Sequence, residues 1–346
     1  MKLFSLHTLN RLIFLLCITA GAKAQSDELR VSAYTEADGL SSNIVRCVLQ
    51  DSRGVLWAGT PDGLNYYDGY TFNTFRKSST DTSTIRSNFI TKLAEDQVGD
   101  IWIGYLSGGV SCYNITTGKF RHYPLKTYTK SDHIKSGEVT MLFINRKNEV
   151  WIGVAQQGMF KLDKHTGEYT RYNLADEKGI AFTSDAFKAY NTVFGAYEDP
   201  SGALWLATAA GLYYFQPATN SMKQLRETPL RESAENRDLF LCIARQGDKL
   251  WLGAWAGGMA CYDMVKNEWK HFSYDYYSPT TNIIIDIRLL PGDSILFISN
   301  DKGLGYFNKN TGSFSFAGSD DLIKTGDYKS VYQDKAGNIW IASDRG

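Results

Sequence analysis

The sequence has few of the residues that crosslink or interrupt a chain. It contains only five cysteines and seven prolines in 346 residues. The cysteines show no C-x-x-C pair and no spacing typical of a metal site, so we expect neither a metal nor a cofactor. Four of them follow residue 24, and we interpret Cys47, Cys112, Cys242 and Cys261 as small buried apolar residues. An exported protein could oxidise them, so their disulfide state stays open.

An excess of one charge is also missing. The chain has 37 Lys and Arg side chains against 37 Asp and Glu side chains. No basic stripe of the kind that binds nucleic acid is present, and no polybasic face suits a membrane surface. We therefore expect this region to contact no nucleic acid.

Long apolar runs are absent as well. The N-terminal apolar run at residues 12–22 is too short to span a bilayer comfortably. Lys2 and Arg11 precede it, and the small residues Ala22 and Ala24 close it. This pattern predicts a secretory signal peptide at residues 1–24, with an uncleaved anchor as the alternative. Its removal leaves 34 basic and 37 acidic side chains, a formal charge of −3. We expect a periplasmic protein, anchored in the membrane only as part of a longer receptor.

Catalytic motifs are missing from the chain. It has no H-E-x-x-H, no G-x-S-x-G and no Gly-rich phosphate loop. We therefore predict no catalytic residues and no enzyme activity for this chain. Two carboxylates facing each other across a pocket would make a glycosidase, and the sequence leaves that alternative open.

Aromatic residues and glycines are plentiful, and they recur in a pattern. Tyr, Trp and Phe make up 14% of the chain, a composition that favours strands between Gly-rich turns. A Trp-x-Gly step, or a variant of it, returns seven times at spacings of 45, 49, 54, 46, 46 and 43 residues. Its anchor positions are Trp57, Trp102, Trp151, Trp205, Trp251, Phe297 and Trp340.

The residues around each anchor predict turns. Six residues before it stands Asp51, Asp96, Asn145, Asp199 or Asp334, and three residues before it stands a Gly or Asn. Asp caps a tight turn through its side chain, and Gly or Asn accepts a positive φ at the end of that turn. Each D-x-x-G segment therefore joins two antiparallel strands, and a second Gly-apolar step after the anchor begins a third.

Four short strands per repeat indicate an all-β propeller of four-stranded antiparallel blades. Seven anchors predict a seven-bladed β-propeller over residues 25–346, with each anchor buried against the next blade. The seventh blade is expected to be incomplete at the C-terminus, because no third strand follows Trp340. Residues 29–34 are expected to supply its fourth strand and so remove an exposed edge. A half-built blade implies a fragment or a truncated reading frame.

The repeat resembles a known family. Residues 39–43, 51–65, 96–104 and 334–342 are similar to the two-component regulator propeller repeat. The resemblance covers nearly the whole chain from about residue 29. It implies the N-terminal periplasmic sensor region of a hybrid two-component system, in which propellers precede a membrane helix, a histidine kinase, a receiver and a DNA-binding regulator. Many members sense oligosaccharides. The kinase, receiver and DNA-binding motifs are absent from these 346 residues.

Ligand contacts are predicted on one face of the ring, where propellers place the loops joining strands two and three and those joining blades. These loops are varied here, and Trp255 is an additional Trp four residues after an anchor. Aromatic faces pack on sugar C–H groups, while amides and charged groups bind hydroxyls. The predicted ligand-binding residues are Tyr105, Gln156, Gln157, Trp255, Asn300, Asp301, Lys302, Asp344 and Arg345.

Three functions compete at this point. We favour a periplasmic sensor propeller for a small-molecule or oligosaccharide ligand, packing against a second propeller or a second subunit. The first alternative is a stand-alone secreted glycan-binding or scaffold propeller. The second is a propeller hydrolase or lyase, which needs a converging acid pair.

Overall fold

Apolar runs between tight turns produce antiparallel strands throughout the described chain. A computed structural model describes residues 31–107, 109–125, 137–174, 190–225, 239–275, 282–300, 302–317 and 327–345. Within these ranges the chain has 26 strands and one short 3-10 helix, Glu36–Asp38. The predicted signal peptide lies outside the described residues.

Six sheets contain four strands each, and in every one the strands follow chain order. Blade 1 comprises β1 (Cys47–Gln50), β2 (Leu56–Thr60), β3 (Gly63–Tyr67) and β4 (Phe72–Phe75). Blade 2 comprises β5 (Ile90–Glu95), β6 (Ile101–Tyr105), β7 (Val110–Asn114) and β8 (Lys119–Tyr123). Blade 3 comprises β9 (Val139–Ile144), β10 (Val150–Val154), β11 (Gly158–Leu162) and β12 (Tyr169–Tyr172).

The next three blades repeat this order. Blade 4 comprises β13 (Val193–Glu198), β14 (Leu204–Thr208), β15 (Gly211–Gln216) and β16 (Ser221–Leu225). Blade 5 comprises β17 (Phe240–Gln246), β18 (Lys249–Ala254), β19 (Met259–Asp263) and β20 (Glu268–Phe272). Blade 6 comprises β21 (Ile284–Leu289), β22 (Ser294–Ser299), β23 (Gly303–Asn308) and β24 (Ser313–Phe316). A final hairpin follows, made of β25 (Ser330–Gln333) and β26 (Ile339–Ala342).

The all-β propeller is confirmed, but the predicted count of seven blades with an incomplete seventh is wrong. The structure has six four-stranded blades, and the last anchor belongs to a sheet of only two strands. Residues 31–34, expected to pair there as a fourth strand, are not in a strand. The physical reason is that the anchor motif encodes only the turn and hairpin of strands one and two. Counting anchors therefore counts hairpins, not blades.

The ring closes through the final hairpin. The first strands of successive blades contact one another, and β25 contacts both β21 and β1. Several hydrogen bonds join the hairpin to blade 1, among them Val45 N–H to Ser343 O at 2.7 Å, Tyr332 Oη–H to Gln50 O at 3.1 Å and Lys335 N–H to Gln50 Oε1 at 3.0 Å. The Tyr34 ring also lies 5.8 Å from Trp340 and 5.7 Å from Tyr67, between centroids. Side-chain packing therefore joins residues 31–34 to the final hairpin, whereas strand pairing was expected to do so.

The turn before each anchor explains why Asp stands six residues earlier. In blade 2 the Asp96 carboxylate accepts the backbone N–H groups of Val98 at 3.0 Å and Asp100 at 3.1 Å. Its other oxygen accepts the indole N–H of Trp102 at 3.0 Å. Gly99 then has φ +88°, a conformation that suits glycine. One carboxylate therefore holds both the turn and the buried Trp.

The apolar core lies between blades. Trp102 of blade 2 packs in one cluster with Val150, Ile152 and Phe160 of blade 3, and the same arrangement recurs around the ring. The anchors Trp57, Trp102, Trp151, Trp205, Trp251 and Phe297 are all buried, whereas Trp340 is half-buried. All four described cysteines are buried and unpaired, as expected for small apolar residues. Burial raises the pKa of the Cys47 thiol to about 12.

The Gly of the Trp-x-Gly step lets adjacent blades approach closely. A Cβ at Gly153 would lie 2.5 Å from Val193 O and 2.9 Å from Met141 Cβ. We expect Gly153→Ala to lower the free energy of unfolding by about 1–3 kcal/mol, because the blades must separate to admit the methyl group. Urea unfolding measures this.

The matched control for that substitution is in blade 4, where Ala207 occupies the equivalent position and is buried. Ala207→Gly should cost no more than about 1 kcal/mol. A Gly153→Ala protein as stable as the parent would show that the blade contact can relax freely.

Candidate ligand-binding face

Two sets of loops meet on one face of the ring, which we call the binding face. In blades 2 to 6, the residue after the second strand donates its backbone N–H to the carbonyl of the residue just before the first strand of the same blade. These hydrogen bonds are Leu106 to Phe89 at 3.1 Å, Ala155 to Glu138 at 2.9 Å, Ala209 to Thr192 at 3.0 Å, Trp255 to Leu239 at 2.8 Å and Asn300 to Ile283 at 3.3 Å. The loops joining strands two and three and the connections between blades therefore share this face.

Five of the predicted ligand-binding residues are exposed on the binding face. They are Trp255, Asn300, Lys302, Asp344 and Arg345. They come from blade 5, blade 6 and the final hairpin, which are consecutive in the ring. The exposed predicted residues thus fall in one sector, and Trp255 presents 47% of its surface to solvent.

Local hydrogen bonds position the loops of this sector. The Lys302 N–H donates to Ser299 Oγ at 3.3 Å. Asp344 Oδ1 accepts the N–H of Asp327 at 3.1 Å, and the Arg345 N–H donates to Ser343 Oγ at 3.1 Å. These hydrogen bonds satisfy backbone groups of the loops, and Lys302, Asp344 and Arg345 stay exposed.

The other predicted residues are placed differently. Tyr105 ends β6 and is buried, with its hydroxyl donating to Ser111 Oγ at 2.9 Å. Burial raises the pKa of Tyr105 to about 12, so the hydroxyl is neutral. Gln157 is buried, and Gln156 is half-buried with a positive φ of 63°. Asp301 lies outside the described residues. Ligand contact by any of the nine residues stays a prediction.

A charged pair at the mouth of the ring was missed by the sequence reasoning. Arg46 Nη2 lies 3.3 Å from Glu138 Oε1, and the Arg46 guanidinium lies 5.3 Å from the centroid of the Phe89 ring. The three residues come from the starts of blades 1, 2 and 3. Their one sequence signal is a polar or aromatic side chain just before an apolar first strand. Partly exposed pairs of this kind contribute about 0–1 kcal/mol, so a ligand could displace this one cheaply.

A second exposed aromatic was also missed. Phe316 ends β24 on the binding face and is 39% exposed. Its ring centroid lies 5.3 Å from that of Tyr274, whose hydroxyl is 2.9 Å from Ser299 Oγ. Blades 5 and 6 therefore each present an exposed aromatic, Trp255 and Phe316, beside polar loop residues.

In the described part of the chain, no three His, Cys, Asp or Glu side chains are grouped closely enough to hold a metal ion. In the same ranges, no helix has the length and apolar character needed to cross a membrane.

Two sequence comparisons match this chain to two-component signalling proteins. The profile of the family described as "Two component regulator propeller" matches residues 39–62 and 323–345. A histidine kinase, P4, of Formosa agariphila is 43% identical over 63 residues, which is 18% of this chain and 5% of that protein.

Solved structures agree with the fold. The extracellular domain of one hybrid two-component system from B. thetaiotaomicron aligns with a TM-score of 0.71 at 23% identity, over 91% of this chain and 40% of that one. A second such domain from the same organism aligns with a TM-score of 0.67 at 18% identity, over 87% and 39%. The chain therefore spans less than half the length of these relatives. At these identities the structural likeness shows the fold alone.

Proposed function

We propose that this chain, in which residues 39–62 and 323–345 match the two-component regulator propeller family, is the ligand-sensing propeller of a hybrid two-component receptor outside the cytoplasm. The proposed ligand is an oligosaccharide. The observation that carries the proposal is the sector of exposed Trp255, Asn300, Lys302, Asp344 and Arg345 on the binding face. The proposed signal peptide at residues 1–24 would export it to the periplasm.

The chemistry of the sector suits a sugar. Trp255 and Phe316 offer exposed aromatic surface, on which the apolar face of a pyranose ring can pack. Asn300 is both donor and acceptor for hydroxyl groups, and Lys302 and Arg345 supply further donors. A face of this composition can bind a polar ligand by stacking and hydrogen bonding together.

Signalling in this proposal is indirect. Ligand on the binding face would alter how the propeller packs against a second propeller or a second subunit. Such a ligand shifts an equilibrium only by its different affinity for the two arrangements. The downstream kinase would respond to that shift, and a catalytic step in the propeller itself is unnecessary.

Trp255→Ala is expected to weaken oligosaccharide binding about tenfold, because the free energy of roughly one aromatic contact is lost. Isothermal titration with the oligosaccharides that raise the melting temperature of the parent measures the change. The matched control is Tyr70→Ala, which removes a 91% exposed aromatic from the β3–β4 turn on the opposite face. Unchanged affinity in Trp255→Ala, or an equal loss in both variants, would contradict the proposed binding face.

The receptor itself is tested by cell fractionation with an antibody against this region. We expect a membrane-bound band several times heavier than the 38.8 kDa of this chain. A free periplasmic band near that mass would instead favour a stand-alone secreted glycan-binding or scaffold propeller. Turnover of any bound oligosaccharide would favour a hydrolase or lyase.

A further inference from the structure

A cavity of about 200 Å³ lies in the crevice between blades 5 and 6. We call it the 5–6 crevice. Its walls are strands β18 to β20 of blade 5 and the β23–β24 turn of blade 6, and its lining includes Trp251, Lys270 and Lys309. The turns that join strands three and four border it, so it lies away from the binding face.

The anchor of blade 5 leaves a buried donor unsatisfied here. Trp251 is 3% exposed, and its indole N–H has no hydrogen-bond partner among the described residues. In blades 1, 2 and 4 and the final hairpin, the equivalent N–H donates to an Asp carboxylate. Those hydrogen bonds are Trp57 to Asp51 at 3.0 Å, Trp102 to Asp96 at 3.0 Å, Trp205 to Asp199 at 3.3 Å and Trp340 to Asp334 at 2.9 Å. A buried donor without an acceptor is costly, so a ligand that supplies one gains affinity.

The strand register explains the missing carboxylate. In blade 2, the Asp96 N–H donates to the carbonyl of Asp100, two residues before Trp102. In blade 5, Gln246 pairs with Lys249, two residues before Trp251. Gln246 therefore takes the place of Asp96, and a neutral amide replaces the carboxylate.

Blade 6 has a lysine at the position equivalent to the lysine that pairs with the Asp96 carboxylate. Lys164, in the β11–β12 turn of blade 3, lies 3.3 Å from Asp96 Oδ2 and 5.2 Å from the centroid of the Trp102 ring. Lys309 holds the same place in the β23–β24 turn of blade 6. Its Nζ donates to Gln246 Oε1 at 2.7 Å and to Gly292 O at 2.6 Å, both neutral acceptors.

The charge around the crevice favours an anion. Four lysines line it, Lys249, Lys266, Lys270 and Lys309, against the two carboxylates of Asp263 and Glu268. Asp263 Oδ1 already accepts the backbone N–H groups of Val265 at 3.1 Å and Lys266 at 3.0 Å. Lys249, Lys266 and Lys270 make no ion pair with a described residue. The lining side chains therefore carry more positive than negative charge, although Lys249 and Lys266 interact electrostatically with Asp263 and Lys309 with Asp293.

Blade 3 provides an informative contrast. Trp151 also has an indole N–H without a described partner, and Asn145 replaces the Asp of its turn. There, however, Glu149 is close by, accepting from Asn145 Nδ2 at 2.7 Å and pairing with Lys161 at 2.5 Å. The cation near Trp151 is thus paired with a carboxylate within the blade, whereas Lys309 beside Trp251 donates to two neutral oxygens.

We propose that the 5–6 crevice binds the carboxylate of a small acidic ligand, held by the Trp251 indole N–H and the Lys309 ammonium group. The carboxylate would take the place that the Asp96 carboxylate has beside Trp102 and Lys164. Pockets for drug-sized ligands have volumes of roughly 300–1,000 Å³, so this smaller crevice suits a small molecule or one terminal acidic group. Hydrogen bonds from charged donors to a carboxylate are among the stronger ones in proteins.

The test is an NMR titration of the tryptophan indole N–H signals of the full chain with sodium acetate. Ionic strength is held constant with sodium chloride, and Trp251→Phe assigns the Trp251 signal. We expect the Trp251 signal to move downfield and saturate. The Trp102 signal should stay in place, because Asp96 already accepts that N–H.

Gln246→Glu is the matched variant, because it adds a carboxylate beside Lys309 without changing the size of the side chain. We expect it to weaken acetate binding by at least about tenfold, since the ligand then competes with an internal carboxylate. Retention of the other indole signals shows that the variant is folded. Unchanged acetate affinity in Gln246→Glu would overturn the proposal.

Three other outcomes would overturn it as well. One is a shift that never saturates or that affects all indole signals alike. Another is equal competition by sulfate, which would assign a general anion site instead of a carboxylate site. The third is movement of the Trp251 signal with protein concentration alone, which would mean that a second copy supplies the carboxylate.

Discussion

Trp102→Ala is expected to lower the free energy of unfolding by about 3–5 kcal/mol, as for other large deletions in a packed core. The Trp102 side chain is 1% exposed and packs between blades 2 and 3. Its ring is stacked on Tyr123 with centroids 5.4 Å apart. Alanine would leave a cavity at the blade interface and leave Asp96 Oδ2 without its indole donor.

Urea unfolding of Trp102→Ala measures this loss, and two further variants interpret it. Trp102→Phe keeps most of the volume but removes the indole N–H, so it should cost only about 1–3 kcal/mol. Trp255→Ala removes an exposed Trp and should change stability by no more than about 0.5 kcal/mol. A Trp102→Ala protein with the parent's unfolding midpoint would mean that the blade interface does not depend on its anchor.

Acid is expected to unfold the ring by protonating the turn carboxylates. Asp51 is fully buried and accepts the backbone N–H groups of Arg53 and Val55 at 3.0 Å each, as well as the Trp57 indole at 3.0 Å. Burial alone would raise the pKa of Asp51, but the hydrogen bonds from Trp57, Arg53 and Val55 outweigh it and hold the pKa below its usual value. The pKa values of Asp199 and Asp334 are lowered in the same way, against burial, by hydrogen bonds that include the indole of each anchor.

The sign of the pH dependence follows from the direction of these shifts. A carboxyl whose pKa is lower in the folded state stabilises the fold fully above its unfolded pKa of about 3.9. That contribution is lost as the pH falls through the folded pKa. We therefore expect the urea midpoint to be level near neutral pH and to fall progressively below about pH 5.

Asp51→Asn tests the acid prediction at one turn. The variant should be less stable than the parent at pH 7 and should lose less stability on acidification, because one titrating group is gone. Asp248→Asn removes an exposed carboxylate from the two-residue β17–β18 turn and should leave both properties unchanged. Equal slopes of stability against pH in the parent and in Asp51→Asn would show that this turn does not contribute to acid unfolding.

The turns and strands were predictable because their interactions are local. The Asp96 carboxylate and the Trp102 indole are six residues apart, and the Gly99 conformation depends on its own backbone. Repetition of this short pattern made each hairpin recognisable in the sequence. The burial of the anchors between blades was predictable for a related reason, since one blade alone cannot cover both of its faces.

The number of blades was less predictable than the hairpins within them. The motif around Trp340 is as complete as the one around Trp102, yet it ends in a two-stranded sheet. Residues 31–34 pack Tyr34 on Trp340 without forming a strand. Whether a segment pairs along a sheet edge or only packs on it depends on distant partners, which a local pattern does not specify.

The candidate sites show the same difference between local features, which the sequence reveals, and contacts between distant residues, which it does not. Trp255 was identified because an additional aromatic in a loop is visible in the sequence. Burial of Tyr105 was not visible, because it depends on how the β6 strand end packs. Arg46 and Glu138 are 92 positions apart in the sequence. Lys309 and Gln246, which are joined by a hydrogen bond, are 63 positions apart.

Short-range chemistry in the sequence thus decided the all-β hairpins, their turns and their anchors. The closed ring of six blades and a hairpin, the exposed sector on the binding face and the 5–6 crevice were decided by folding in three dimensions. The reason is physical. A turn carboxylate needs partners within a few residues of it, whereas a cavity or a surface sector exists only once segments far apart in the chain pack together.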